Sequence, residues 1–208
     1  MKPSKPTQGK AEADVQNVVK AYDAGAFALA AGSIHGEAAR QYARELQPTE
    51  LQFTKGIGVR AQGGTAQITR NTFRRLTDAK ILSQRETEAL ERILTLLDDK
   101  MAPSDEVRKV SLDVYDELVQ SKASPCAIAL AGIAKNSIEI AIEMEHTKGK
   151  VSKGKVKKSR VNWWHILGAD LSGAGTGALA GAGGGPLGII GGLIAGAVVG
   201  SGTELAKS

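Results

Sequence analysis

Side chains able to act as nucleophiles, metal ligands or phosphate cradles are sparse in this chain, and their spacing argues against each chemistry in turn. His35, His146 and His165 are scattered, with no i,i+4 pair of the kind that grips a metal ion. Cys126 is the single cysteine, so the chain has no intramolecular disulfide framework and no cysteine-based metal cluster. No His or Asp partner can be identified for it, and it reads as a small buried side chain. Gly149-Lys150 and Gly154-Lys155 are each followed by valine, where a Walker A phosphate loop needs Ser or Thr. "GIGVRA" (Gly56 to Ala61) loosely matches a dinucleotide fingerprint but lacks a βαβ setting. His165 reads as a polar residue at a helix start, with a pH-sensitive interfacial role as the alternative. Asp170, the one acid near the apolar C-terminal tract, is expected to cap or begin a helix at an interface, with an ion-pathway role as the alternative. The expectation is a non-enzymatic protein with no catalytic residue, no metal and no cofactor.

What the sequence does offer is charge and glycine. The net charge is +5, but Thr147 to Arg160, "TKGKVSKGKVKKSR", contributes +7 through Lys148, Lys150, Lys153, Lys155, Lys157, Lys158 and Arg160. The rest of the chain is therefore slightly acidic, and the basic character belongs to one linker. Three roles fit that linker: attraction to anionic lipid headgroups, a solvated spacer, or sequence-independent contact with nucleic-acid phosphates. No aromatic residue interrupts it, which disfavours base stacking.

Leu171 to Thr203 carries no charge, and 13 of its 33 residues are glycine. Gly173, Gly177, Gly181 and Gly185 recur at intervals of four, and after Pro186 so do Gly188, Gly192, Gly196 and Gly200. On an α-helix such residues stack on one face, and a face without side chains lets another backbone approach closely. The spacing predicts helices over 168–184 and 187–203, folded into a hairpin at Gly184-Gly185-Pro186. The flat faces can pack on each other, on a second copy of the chain, or on both. Trp163 and Trp164 sit just upstream, where interfacial tryptophans belong, directly after the basic linker. A soluble hairpin docked on the rest of the chain and a disordered tail are the alternatives.

The preceding sequence supplies the elements that would carry this module. Residues 1–13 read as a disordered polar leader. Residues 14–146 read as an α-helical domain, in which Gly32 and Gly36 are expected to split the first helical region and Pro48 to end it. Phe53 to Thr69 is a glycine-bearing connection with room for a short β-hairpin. "SQRETEALERILTLLDDK" opens with Ser83 and Glu86 at capping-box spacing and continues with a stripe of Leu90, Ile93, Leu94 and Leu97. "PSDEVRKVSLDVYDELVQ" has acids in its first turn and would bury Val107, Val110, Val114 and Leu118. "SPCAIALAGIAKNSIEIAIEMEH" has Ser124 as cap and Pro125 at its first position; it is the most apolar of the three and the expected central helix. The fold class is all-α: a helical domain, a Lys-rich linker over 147–160, and a glycine-rich hairpin over 161–208. The N-terminus has no apolar run, so the chain is expected to be made in the cytoplasm without a secretory signal and to be membrane-associated or delivered to a target membrane.

On its eight ladder glycines, the tract 166–205 resembles the glycine-zipper segments of bacterial membrane-associated proteins and the glycine-rich helices of membrane-permeabilising bacteriocins. The resemblance implies a bacterial protein that inserts in or permeabilises anionic lipid, as a toxin-like effector or an anchor. It also implies self-association through the glycine faces, while the helical domain would take a protein partner. The alternative is a soluble helical scaffold or binding protein whose basic linker engages nucleic acid.

Overall fold

The computed structural model describes residues 23–45, 65–98, 102–149 and 163–207. They form α1 (Ala24–Glu45), α2 (Thr65–Asp78), α3 (Gln84–Asp98), α4 (Ser104–Gln120), α5 (Pro125–Gly149), α6 (Trp163–Gly181), a 3-10 turn (Ala182–Gly184) and α7 (Gly185–Lys207). No strand occurs among the described residues, and the all-α expectation holds. The leader over 1–13, the expected helix start over 14–22, the connection over 53–64 and the linker from Lys150 to Arg160 lie outside the described residues.

α5 is the axis of the bundle. Every residue from Cys126 to Ala134 is buried, and α1, α3, α4, α6 and α7 all pack against this helix. A helix apolar on all sides belongs in such a position. It runs to Gly149, so Thr147, Lys148 and Gly149 extend the core helix and are not part of a linker. Burial, and then the Glu86 carboxylate, push the Cys126 thiol up to about 12. This agrees with its place as a packed side chain, since only a thiolate is a useful nucleophile.

The caps are where the sequence places them. Glu86 Oε2 accepts the Ser83 N–H at 2.7 Å, and Ser83 Oγ accepts the Glu86 N–H at 3.3 Å. The second Glu86 oxygen accepts the Ser124 N–H at the start of α5, and Ser124 Oγ caps Ala127 at 3.3 Å. One carboxylate thus ties together the N-termini of two helices. α4 buries Val107, Ser111, Val114 and Leu118, with Val110 partly buried beside them.

Three expectations fail. α1 is one continuous helix through Gly32 and Gly36, because both glycines face α5. A Cβ on Gly32 would lie 2.4 Å from the Gly132 carbonyl oxygen, and one on Gly36 would lie 2.1 Å from Asn136 Oδ1. Close packing offsets the roughly 1 kcal/mol helical cost of each glycine. Thr65 to Thr69, the described end of the expected hairpin connection, is the first turn of α2. α2 itself has no counterpart among the predicted helices: its composition is polar, yet Ala66, Thr69, Thr72, Phe73 and Leu76 form a buried stripe.

Burial pushes the Glu86 carboxyl up, but the N–H and hydroxyl donors of Ser83 and Ser124 outweigh it and hold it below its ordinary value of 4.5. A carboxylate depressed on folding contributes stability above its unfolded-state pKa and loses it as pH falls through the folded value. Glu86→Gln is therefore expected to melt below the wild type at neutral pH. The two melting temperatures should converge in acid below pH 4.5, as followed by circular dichroism.

Candidate functional site

α6 and α7 form an antiparallel pair in which glycine meets glycine at successive turns. A Cβ built on Gly173 would lie 2.3 Å from the Gly196 carbonyl oxygen, on Gly177 1.9 Å from that of Gly192, and on Gly181 2.0 Å from that of Gly188. The reverse contacts, from Gly196, Gly192 and Gly188, are 2.1, 2.2 and 2.5 Å. Gly200 extends the series against the Ala169 carbonyl at 2.5 Å. No side chain can occupy these positions unless the helices separate. The glycine hydrogen standing in place of each Cβ points at a carbonyl oxygen, the geometry of a Cα–H···O contact worth about 0.5–1 kcal/mol.

Gly185 does not belong to this packed face. Nothing lies within 4 Å of a Cβ built there, and its φ of +66° makes it the left-handed residue that reverses the chain. Gly184 ends the 3-10 turn and Pro186 is the second residue of α7, so the hairpin bends where the sequence placed its turn.

The hairpin is docked on the bundle along one side. Leu167, Leu171, Ala174 and Ala178 of α6, with Ile190, Leu193, Ile194 and Ala197 of α7, belong to the common core. α1 and α5 pack on α7, and α2 and α5 pack on α6. Gly175 makes room for α2: a Cβ there would be 2.4 Å from Thr72 Cγ2. Between Leu171 and Gly200, a stretch without a charged residue, the opposite side of the hairpin carries exposed Thr176, Ala180, Ala195 and Val199.

Asp170 occupies a position the sequence reading did not give it. It is not at an interface; it is fully buried on the docked side of α6, with His35 of α1 and Ser137 of α5, both also fully buried. His35 Nε2 lies 3.4 Å from Asp170 Oδ2. The Ser137 hydroxyl reaches the same oxygen and also the Ile133 carbonyl at 2.8 Å; its single proton serves one acceptor at a time. Ser, His and Asp meet here, but the carboxyl stands between the other two and no part of the cluster reaches the surface. The geometry does not suit acyl transfer, where the base must touch the nucleophile. It suits a polar fastening between the apolar hairpin and the two helices beneath it.

A pattern in the sequence points to this cluster. Leu167, Asp170, Leu171, Ala174 and Ala178 fall on one helical face, which puts Asp170 among core residues. Gly32 and Gly36 bracket His35 with the same four-residue spacing that marks the hairpin. Ser137 lies four residues after Ile133 on the core helix.

Trp163 and Trp164 begin α6, and Lys148 is in the last turn of α5. Lys150, Lys153, Lys155, Lys157, Lys158 and Arg160 lie outside the described residues. Among the described residues no group of three His, Cys, Asp or Glu side chains could hold a metal ion. No protein-family model, curated protein or solved structure matches the chain.

Two measurements follow from this geometry. Gly177→Ala is expected to lower stability by about 1–3 kcal/mol through overpacking. Gly191→Ala, on the same hairpin with nothing within 4 Å of its Cβ, should raise it by up to about 1 kcal/mol through helix propensity; urea melts of the pair read the opposite signs. Ser137→Ala removes a donor from a buried carboxyl and is expected to cost about 1–3 kcal/mol. The exposed Thr176→Ala should change the urea midpoint little.

Proposed function

We propose that this is a non-enzymatic, membrane-interacting protein whose C-terminal hairpin leaves the helical bundle and enters an anionic bilayer, permeabilising it or anchoring the chain. The observation that carries this reading is a contrast between two apolar stretches. Pro125–Glu143 and Ile166–Gly200 are both long and apolar enough to cross a membrane, but of an apolar 18-residue segment within each, 72% is buried in the first and 22% in the second. The first is accounted for as the core helix; the second presents an uncharged outer side that the bundle leaves open.

The dimensions support the same reading. Helices of 19 and 23 residues reach about 28 and 34 Å at 1.5 Å per residue, against a hydrocarbon core of about 30 Å. Small residues at the α6–α7 contact are the means by which helices associate in lipid, where hydrophobic burial between them gives no drive. Hairpin insertion leaves both ends on one side, so the bundle and the basic linker would remain at the same leaflet. Self-association through the glycine ladder would require the hairpin to open, since its flat faces are turned on each other.

Insertion must separate Asp170 from His35 and Ser137. A charged carboxylate at the middle of a bilayer costs about 2.5–3.5 kcal/mol or more. Asp170 is seven residues into α6 from Trp163, about 10 Å along the helix, so insertion of the whole hairpin would carry it into the hydrocarbon region. The fastening would therefore hold the hairpin docked in water, and insertion would have to offset both its loss and the transfer of Asp170 into lipid.

A soluble scaffold with a nucleic-acid-binding linker is the second reading, favoured by the apolar face that the hairpin buries on α1, α2 and α5. A reversible staple separates the two. Thr72 Cβ is 3.4 Å from a Cβ built on Gly175, close to the 3.5–4.5 Å range of disulfides, so Thr72→Cys with Gly175→Cys would pin α6 to α2. Mixed with dye-loaded anionic vesicles, the oxidised double variant is expected to release little dye and the reduced one to match the wild type. Equal release from both forms would mean that the hairpin acts without undocking. Absence of vesicle binding by the wild type, together with salt-dependent DNA or RNA binding, would establish the second reading.

A further inference from the structure

We propose that the arginine edge of α2, centred on Arg75 with Arg74 beside it, is the surface by which the docked form first contacts an anionic phospholipid bilayer. This inference rests on the membrane reading above and adds to it a site outside both the hairpin and the basic linker.

The placement of Arg75 follows from helix geometry. Thr72 and Leu76 of α2 are the side chains that meet Gly175 of α6. Residues three apart share a helix face, so Arg75 emerges on the flank of α2 next to α6. There the buried stripe of α2 gives way to solvent, beside the uncharged outer side of the hairpin. Arg74, also exposed, lies about 100° further round α2, on the side turned away from Thr72.

The arginines divide by pairing. Exposed Arg92 and Arg108 pair with Glu117 and Glu139 at 2.5 and 2.6 Å, and Arg40 pairs with Glu143. Arg74 and Arg75, like Arg85 at the start of α3, have no acidic partner among the described residues. The only acid on α2 is Asp78, and Lys80 and Arg85 in the following turn and helix restore the positive balance.

An apolar face bordered by guanidinium groups without an acidic partner among the described residues fits one class of surface. Arginine forks onto phosphate oxygens while its stem lies along apolar matter, so Arg75 could hold a headgroup as the hairpin's outer side meets the acyl boundary. A nucleic acid would use the charge but leave the apolar face without a partner. Contact made through this edge would place α6, and not the far side of the bundle, against the bilayer.

The test uses the full-length chain and vesicles of phosphatidylcholine with and without phosphatidylglycerol, at about 0.15 M salt. A basic residue near an anionic surface is worth about fivefold in partitioning. Arg74→Gln with Arg75→Gln should thus weaken binding to the phosphatidylglycerol vesicles by roughly 25-fold, with an unchanged melting curve. The charge-matched control, Arg92→Gln with Arg108→Gln, should bind within a few-fold of the wild type. If both double variants lose binding equally, net charge alone is at work and the edge has no special role. If the wild type binds and the α2 variant binds equally well, this inference fails while the membrane reading stands. If the wild type ignores both kinds of vesicle, both fail. Loss of DNA binding in the α2 variant without loss of vesicle binding would reassign the edge to nucleic acid.

Discussion

Two helices can approach only as closely as the side chains between them allow, and in this protein the side chains have been removed wherever the approach is closest. The Gly32–Gly132 crossing joins α1 to the core helix, Gly175 admits Thr72 of α2, and three facing glycine pairs close the hairpin. These contacts replace interdigitated side chains with backbone against backbone. The chain has only 4% aromatic residues, so it cannot fill wide interhelical gaps with large rings; narrow gaps are the alternative. The cost is the conformational freedom that each glycine has in the unfolded chain. The return is dense packing between helices of alanine and glycine that have little else to bury.

The same constraint explains which parts of the fold could be read in advance. The hairpin was legible because its glycines repeat at four, a spacing that intrinsic propensity gives no reason to expect, and because Gly185 and Pro186 interrupt the repeat. α3, α4 and α5 were legible from caps and apolar stripes, down to the reciprocal Ser83–Glu86 bonds. α1 departs from expectation because local propensity marks Gly32 and Gly36 as helix breakers, while their partners at Gly132 and Asn136 are a hundred residues away in sequence. α2 was missed because threonines at 69 and 72 take core positions that hydropathy assigns to aliphatics; Thr72 donates to the Ile68 carbonyl one turn back, which satisfies its hydroxyl within the helix.

The buried polar cluster was the least legible feature and bears most on how the hairpin is held. Asp170 stands in an otherwise uncharged tract, and local sequence alone suggests a helix cap. Its position is set by three helices that meet only in the folded chain. A carboxyl removed from water is expensive unless polar partners surround it, and His35 and Ser137 come from the two helices on which the hairpin rests. The hairpin's apolar face would tolerate many orientations on an apolar bundle. The carboxyl accepts only the one that brings these partners to it, so the cluster sets the register of docking more than its strength.

The pairing of Gly173 with Gly196, Gly177 with Gly192 and Gly181 with Gly188 has a consequence for how such a hairpin can change length. Each pair is four residues nearer the turn than the one before, so the arms can grow or shrink only by four residues each, adding or removing one rung of about 6 Å. A single inserted residue within an arm would rotate everything beyond it by about 100° and turn the outer glycines away from their partners. An extra residue between Gly183 and Gly185 would leave every rung in place. The hairpin is thus a ladder of fixed pitch with an elastic end, and its reach is quantised by the helix turn.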